Sequence, residues 1–309
     1  MRQFLLAVPL LAAGATLTLV DDVRQAIAQD NLPLAEAHVQ KYRAKSGVNP
    51  EVIEALSWLG RGALAAKQLD KAESYAKQTE ELAAAELKKR RLDAEPHLPL
   101  AVGASIEVQA QVLAARGERS EAVAFLRAQL AGYRNTSIET RIQKNVNLLS
   151  LEGKRAPALA AAEYLGPKPP SMASLKGRPV LLFFWAHWCG DCKGDEPLIA
   201  RLRSEYAREG LVVIGPTQRY GYAARGEETT PAEELKYIDE VRHQFYADLL
   251  DMPAPVSEQN FKNYGASTTP TLVFIDKQGI VRIYHPGKMT MEELRAAMDR
   301  TLGPTRRAS

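Results

Sequence analysis

The 309-residue chain has only two cysteines, Cys189 and Cys192. With no third thiol there is no disulfide framework to staple the fold, and no second pair to complete a four-ligand zinc site. Whatever these two sulfurs do, they do with each other or with a partner thiol. Charge of one sign is also scarce: 40 basic residues face 37 acidic ones, so no large field marks a nucleic-acid-binding surface. P-loop, dinucleotide-loop and zinc-finger spacings are missing. Beyond the first 20 residues no second span is expected to be long and apolar enough to cross a membrane. What remains, 46% apolar and 25% charged, is ordinary globular material with length enough for two domains.

The opening residues differ from the rest. Arg2 precedes the apolar run Phe4 to Ala12, small residues Ala13-Gly-Ala15 follow, and the chain turns acidic at Asp21 and Asp22. That is the order of a secretory signal peptide, with cleavage expected after Ala15. A run of about 17 apolar-dominated residues is at the lower limit for a membrane span. Residues 1–20 are therefore expected to be a signal peptide or an uncleaved anchor, which implies a periplasmic or extracytoplasmic protein. The alternative is an apolar first helix of the domain behind it, which would leave the chain cytoplasmic.

Residues 21–166 are rich in Ala, Leu, Glu, Gln, Lys and Arg, and apolar positions recur at three and four, as at Leu56, Leu59 and Ala63. Four segments place a turn residue five before a small alanine: Asp30 and Ala35, Lys67 and Ala72, Gly117 and Ala122, Gly153 and Ala158. Small residues there let antiparallel helices approach closely. The alanines are spaced irregularly, by 37, 50 and 36 residues, with Pro96 and Pro99 in the longest interval. The pattern resembles tetratricopeptide (TPR) repeats, with Leu59-Gly60 and Ala72 nearest that consensus and Leu56 and Ala63 in place of its tryptophan and tyrosine. The resemblance implies an all-α array with a protein partner on its concave face. Residues 167–172 are expected to be a stiff Pro-rich linker, because Gly166-Pro-Lys-Pro-Pro cannot continue a helix.

From 173 to 303 strand-like and helix-like runs alternate, and 304–309 reads as a flexible tail. Val180 to Trp185 is a buried strand. The dithiol follows, then a helix from about Asp195 to Glu209, and a short strand Leu211 to Gly215. A helix is expected from about Ala232 to Leu250, a hairpin of Thr271 to Ile275 with Ile280 to Tyr284, and a last helix Met291 to Leu302 capped by Thr290. The expected fold class is thus an all-α repeat array followed by an α/β sandwich, with the ligand site at the strand ends where Cys189 falls.

Residues 171–303 are similar to the thioredoxin fold, and specifically to the TlpA/ResA-like thiol-disulfide oxidoreductases. The resemblance rests on Phe-Trp-Ala-x-Trp-Cys-x-x-Cys at 184–192, on Tyr264-Gly-Ala-x-x-Thr-Pro-Thr271, and on the Asp276-Lys-x-Gly279 turn with Gly287. It implies that Cys189 is the exposed nucleophile ahead of a helix N-terminus and that Cys192 resolves the mixed disulfide. Trp188 should cover the site. Pro270 maps to the family's cis-proline and Thr269 to the ledge against which an extended client lies. The implied partners are protein disulfide or dithiol clients and a thiol electron donor such as a membrane-linked reductase. No cofactor or metal is implied.

Two departures from the wider fold matter. Thioredoxin carries a buried aspartate in the strand before the dithiol; Phe183 holds that position here, as is usual in the TlpA-like branch. Glu227 or Glu228, in the loop before the next helix, could relay protons in its place, unless they are merely solvated. The second departure is Gly190-Asp191 inside the motif: Asp191 opposes a thiolate, Lys193 works the other way, and His187 lies close enough to tune the site. His187 shows no evident companion and could equally be a partly exposed edge histidine. A reductant is expected over a strong oxidant. Ala186 stands where a peroxiredoxin would need threonine, and the non-enzymatic alternative is a repeat scaffold with the redox fold kept as a binding module.

Overall fold

The computed structural model describes residues 18–303 and divides into two compact units, one up to Val108 and the other from Gln109. The chain has a two-domain architecture, an all-helical region followed by a mixed α/β fold. The export segment expected over 1–20 falls almost wholly outside the described residues, as does the tail. Leu19 and Val20, assigned to that segment, are instead buried in α1 (Leu19–Ala28), opened by a capping box of Thr18 and Asp21.

The first unit contains α1, α2 (Leu32–Ser46), α3 (Pro50–Ala65), α4 (Leu69–Leu87) and the start of α5 (His97–Ala115). The α3–α4 hairpin shows how the turn grammar works. Lys67 takes the left-handed conformation (φ +58°), the chain reverses, and Ala72 and Ala76 on α4 come down over Gly60 of α3. A Cβ on Gly60 would already sit 3.6 Å from Tyr75 Cβ. Asp30 and Gly117 adopt the same backbone sign before Ala35 and Ala122, and all three alanines are fully buried. The fourth segment departs from this. Gly153 has φ +80°, but α7 (Glu139–Ser150) has ended and the chain stays extended, pairing its backbone with a strand. Pro157 bars a helix there, so sequence spacing alone overcounted the hairpins. Helix α5 corrects a further expectation. By length and hydropathy it is a second candidate span, although 56% of its apolar window is buried inside the fold, as in a core helix.

The second unit holds α6 (Arg119–Gly132), α7 and the α/β fold: β1 (Tyr164–Leu165), β2 (Val180–Phe184), α8 (Gly190–Glu205), β3 (Val212–Ile214), α9 (Pro231–Phe245), β4 (Ala254–Pro255), α10 (Glu258–Tyr264), β5 (Thr271–Ile275), β6 (Val281–Pro286) and α11 (Met291–Leu302). The four-stranded sheet runs β3-β2-β5-β6, parallel between β2 and β3 and antiparallel elsewhere. β2 has no polar face because both sides are covered. Leu181 and Phe183 point into a core with Ile199, Leu202, Ile238, Leu294 and Met298, while Val180, Leu182 and Phe184 pack with Phe261, Tyr264 and Val273. Phe184 pairs with Thr271, so β2 leaves and β5 enters the sheet at the same edge. That register brings the dithiol loop and the Thr269–Pro270 loop to one end.

The chain between α7 and β2 straps this fold. Gly153, Lys154 and Ala156 exchange backbone hydrogen bonds with Val281 and Gly279 at the β6 edge. Pro157 accepts the Tyr264 hydroxyl, Ala160 exchanges two 2.8 Å bonds with the Asn260 amide, and Glu163 grips Arg219 with two 2.6 Å bonds. β1 then pairs with β4. α7 meets this same end closely. A Cβ on Gly265 (φ +60°) would collide with the Lys144 backbone nitrogen and lie 2.6 Å from its Cα. Gly265→Ala is expected to cost about 3 kcal/mol, from a left-handed alanine at about 1–2 and overpacking at about 1–3 kcal/mol. Urea denaturation of the full chain measures it, and a loss below about 1 kcal/mol would mean that α7 yields.

Candidate functional site

Behind the dithiol stands the buried β2 segment. The Trp185 N–H donates to Pro216 O at 3.1 Å and its indole to Gly215 O at 3.0 Å, which anchors the loop that follows. Cys189 closes a turn on Ala186 O (3.0 Å) and becomes the N-cap of α8; its sulfur accepts from the Cys192 N–H at 3.0 Å. The helix therefore starts at Gly190, five residues before the expected Asp195, because a sulfur can cap it. A thiolate at Cys189 would meet the positive end of that helix. The two sulfurs are joined in a disulfide. Cys189 is only 3% exposed, in contrast to the openly exposed nucleophile expected, and Cys192 is fully enclosed. Trp188 beside them is 49% exposed.

The charges near the pair are mostly paired. Asp191 is exposed and held by Lys288 (3.1 Å), which blunts its opposition to a thiolate. Lys193 lies over the Phe245 ring at 4.5 Å, and burial pulls its pKa down. Two carboxylates of α8 are buried. Glu196 accepts the Asp248 N–H at 2.9 Å. Asp195, one turn beyond Cys192, has no hydrogen-bond partner for Oδ2 among the described residues. Burial pushes its pKa up to about 6, with Lys288 pulling down and Asp191 pushing up more weakly. The Tyr246 hydroxyl is likewise buried without a partner, its pKa raised by burial and by the charge of Asp195; the ring packs on Trp185 at 4.7 Å and on Phe183 at 6.4 Å.

His187 is neither an edge residue nor alone. It is 1% exposed, and its Nε2 lies 3.5 Å from Glu234 Oε1 of α9, a carboxylate equally buried. Tyr220, Tyr222 and Tyr237 set their rings edge-on around the imidazole at centroid distances of 5.2–5.6 Å. Burial lowers the His187 pKa, and Glu234 opposes that less strongly. Glu234 also accepts the backbone N–H groups of Tyr220 and of Gly221 (3.0 Å).

At the β5 entry the Thr269–Pro270 peptide is cis. The Pro270 carbonyl accepts the Gly287 N–H (2.8 Å), and the Thr271 hydroxyl closes on Thr268 O (2.6 Å). Glu227 and Glu228 are exposed, in a short turn where Ala223 N–H donates to Glu227 O and Tyr222 bridges Glu228. Neither has a hydrogen bond or ion pair to the dithiol loop, and their surroundings leave the carboxylates solvated. Three buried acids of this unit, Asp195, Glu196 and Glu234, are ones sequence reasoning passed over. Asp195 carried a usable signal, because three residues past Cys192 is one turn along the same helix. Glu234 carried none, as it follows Glu233 in what reads as an ordinary acidic helix start.

A family model described as "Thioredoxin-like domain" matches residues 168–302. The chain is 29% identical over 179 residues to "Thioredoxin-like protein YneN" of Bacillus subtilis (strain 168), covering 57% of this chain and 94% of that protein. It is 30% identical over 135 residues to "Thiol:disulfide interchange protein DsbE" of Pseudomonas fluorescens biotype C, covering 44% of this chain and 66% of that one. Against "Thiol-disulfide oxidoreductase ResA" of Bacillus thuringiensis subsp. konkukian (strain 97-27) the identity is 29% over 146 residues, covering 46% of this chain and 73% of the relative. The second unit thus has a thioredoxin-like fold related to the DsbE and ResA proteins. With a cysteine pair at disulfide distance in that fold, the chain is equipped for thiol-disulfide redox chemistry in general.

Proposed function

We propose that this chain is a thiol-disulfide oxidoreductase that reduces disulfides of protein clients. The observation that carries the reading is the joined pair Cys189–Cys192 at the N-terminus of α8, on the sheet edge shared with Thr269–Pro270. In the reduced enzyme the Cys189 thiolate attacks a client sulfur, forming the mixed disulfide and releasing the other client sulfur as a thiolate. The Cys192 thiol then gives up its proton and displaces the client from Cys189. Two electrons have passed to the client, and an external dithiol restores the pair. Asp195 is placed to take the Cys192 proton. Its burial also disfavours a second anion nearby, so the thiolate form is less stabilised than in a strong oxidant.

The helical region, read as TPR-like, would hold or select the client. A membrane-linked thiol reductase outside the cytoplasm would supply electrons, in keeping with the signal-like order of residues 1–15. The test is turnover. The full chain should reduce insulin disulfides in dithiothreitol, and Cys189→Ser should lose that activity; full activity in the variant removes the dithiol from the mechanism.

A further inference from the structure

The group around His187 lies outside the electron path and is built with care. A buried carboxylate is costly unless its oxygens are satisfied. Glu234 spends both of its oxygens on the backbone of a single loop, Tyr220 and Gly221, and turns one of them toward His187. Three tyrosines of that loop and of α9 close around the imidazole. The most exposed aromatic of this group is Trp188, between His187 and Cys189, and its ring stands edge-on against the half-buried Tyr220 at 5.5 Å. Tyr220 is braced in turn by Phe261 at 6.5 Å and Tyr222 at 6.2 Å.

We propose that Glu234 is a positioning residue for client recognition: by fixing the Tyr220–Gly221 backbone beneath Trp188, it sets an aromatic ledge beside Cys189. The occupant is an extended client segment with an apolar or aromatic side chain next to its cystine. Half-exposed aromatic rings held rigidly bind such a segment at low entropic cost. Cys189 is almost enclosed and Trp188 is the exposed ring next to it in the chain, so a client that reaches the sulfur meets this rim. The ledge therefore governs affinity for the client, while the sulfurs and Asp195 govern its chemistry. The proposal rests on the oxidoreductase reading above.

The test uses the full chain, with insulin as client and dithiothreitol as donor. Glu234→Gln keeps the side-chain shape but must aim an amide N–H at one of two backbone donors, which frees the loop. The KM for insulin is expected to rise about tenfold with kcat within about twofold, the mark of lost binding. Trp188→Ala should raise KM similarly, and the double variant should be no worse than Trp188→Ala alone, because both act through one ledge. Equal losses in kcat and kcat/KM, or additive rises in KM, overturn the proposal. Should Glu234→Gln fail to fold, Tyr220→Leu removes the ring beneath Trp188 and leaves the carboxylate in place; an unchanged KM in that variant also overturns it. The oxidoreductase reading fails on a different result, absent turnover by the wild-type chain or full turnover by Cys189→Ser, and the ledge falls with it.

Discussion

Cys192→Ser will leave the chain covalently joined to its client. Cys189 at the head of α8 makes the first bond, and the variant keeps that sulfur and the helix end that favours its thiolate. Release then needs a second thiol, and Cys192 is the only other one in the chain. Held on the same helix turn, it reacts at an effective concentration that no free thiol matches. Without it, the mixed disulfide persists until an external reductant arrives. Mixing the reduced variant with a disulfide client should shift most of the chain to a heavier band on non-reducing gels, and dithiothreitol should reverse the shift. Cys189→Ser should give no such band, because Cys192 is fully enclosed. A band from Cys189→Ser and none from Cys192→Ser would exchange the roles of the two sulfurs.

Asp195→Asn is expected to lower turnover by about 100-fold at neutral pH, the lower end of what a positioned acid–base group supplies. The physical cause is the second step. Cys192 must lose a proton inside a core, and the carboxyl one turn away is buried with Oδ2 unengaged among the described residues. Its pKa is raised to about 6, chiefly by that burial. The sign follows directly. Below pH 6 the carboxyl carries its proton and cannot accept another; above pH 6 it is an anion able to act as base. The wild-type rate should therefore climb through about pH 6, and the variant should lose that limb. The same shift bears on stability. A carboxyl that holds its proton more tightly when folded weakens the fold as pH rises from its unfolded value toward 6. Asp195→Asn should accordingly raise Tm at pH 8 and show no gain below pH 4. An unchanged pH–rate profile would place the proton acceptor elsewhere.

The dithiol, its strand and its cis-proline partner were legible because each is a local signature. A continuous apolar run means a strand buried on both faces, and the chain shows that run before Cys189 and again after Pro270. Alternating strand and helix runs gave the order of the main elements. The short β1, β4 and α10 went unread, since two-residue strands leave no periodicity. The strap from Gly153 to Leu165 was taken as helical from one recurring spacing, yet its backbone bonds go to β6, Asn260 and β4, partners about 100 residues away or more for the strand and the amide. Glu227 and Glu228, named from sequence as candidates for the proton relay, are exposed, whereas the carboxylate one turn past Cys192, Asp195, is buried, a difference that no linear spacing reveals.

By itself the sequence determined which atoms can carry electrons. Two thiols three residues apart, ahead of a helix and with no rivals, admit little else, and that inference needs only composition and adjacency. The surroundings of those thiols were decided by tertiary structure alone. Burial is a property of all the elements that close over a side chain. His187 reads as a lone polar residue until α9 brings Glu234 and Tyr237, and the 220–222 loop brings two more tyrosines. Asp195 reads as helix surface until the core around Tyr246 removes its water. Desolvation, which raises the Asp195 carboxyl and depresses the His187 imidazole, has no counterpart in a string of residues; it exists only once the chain has packed.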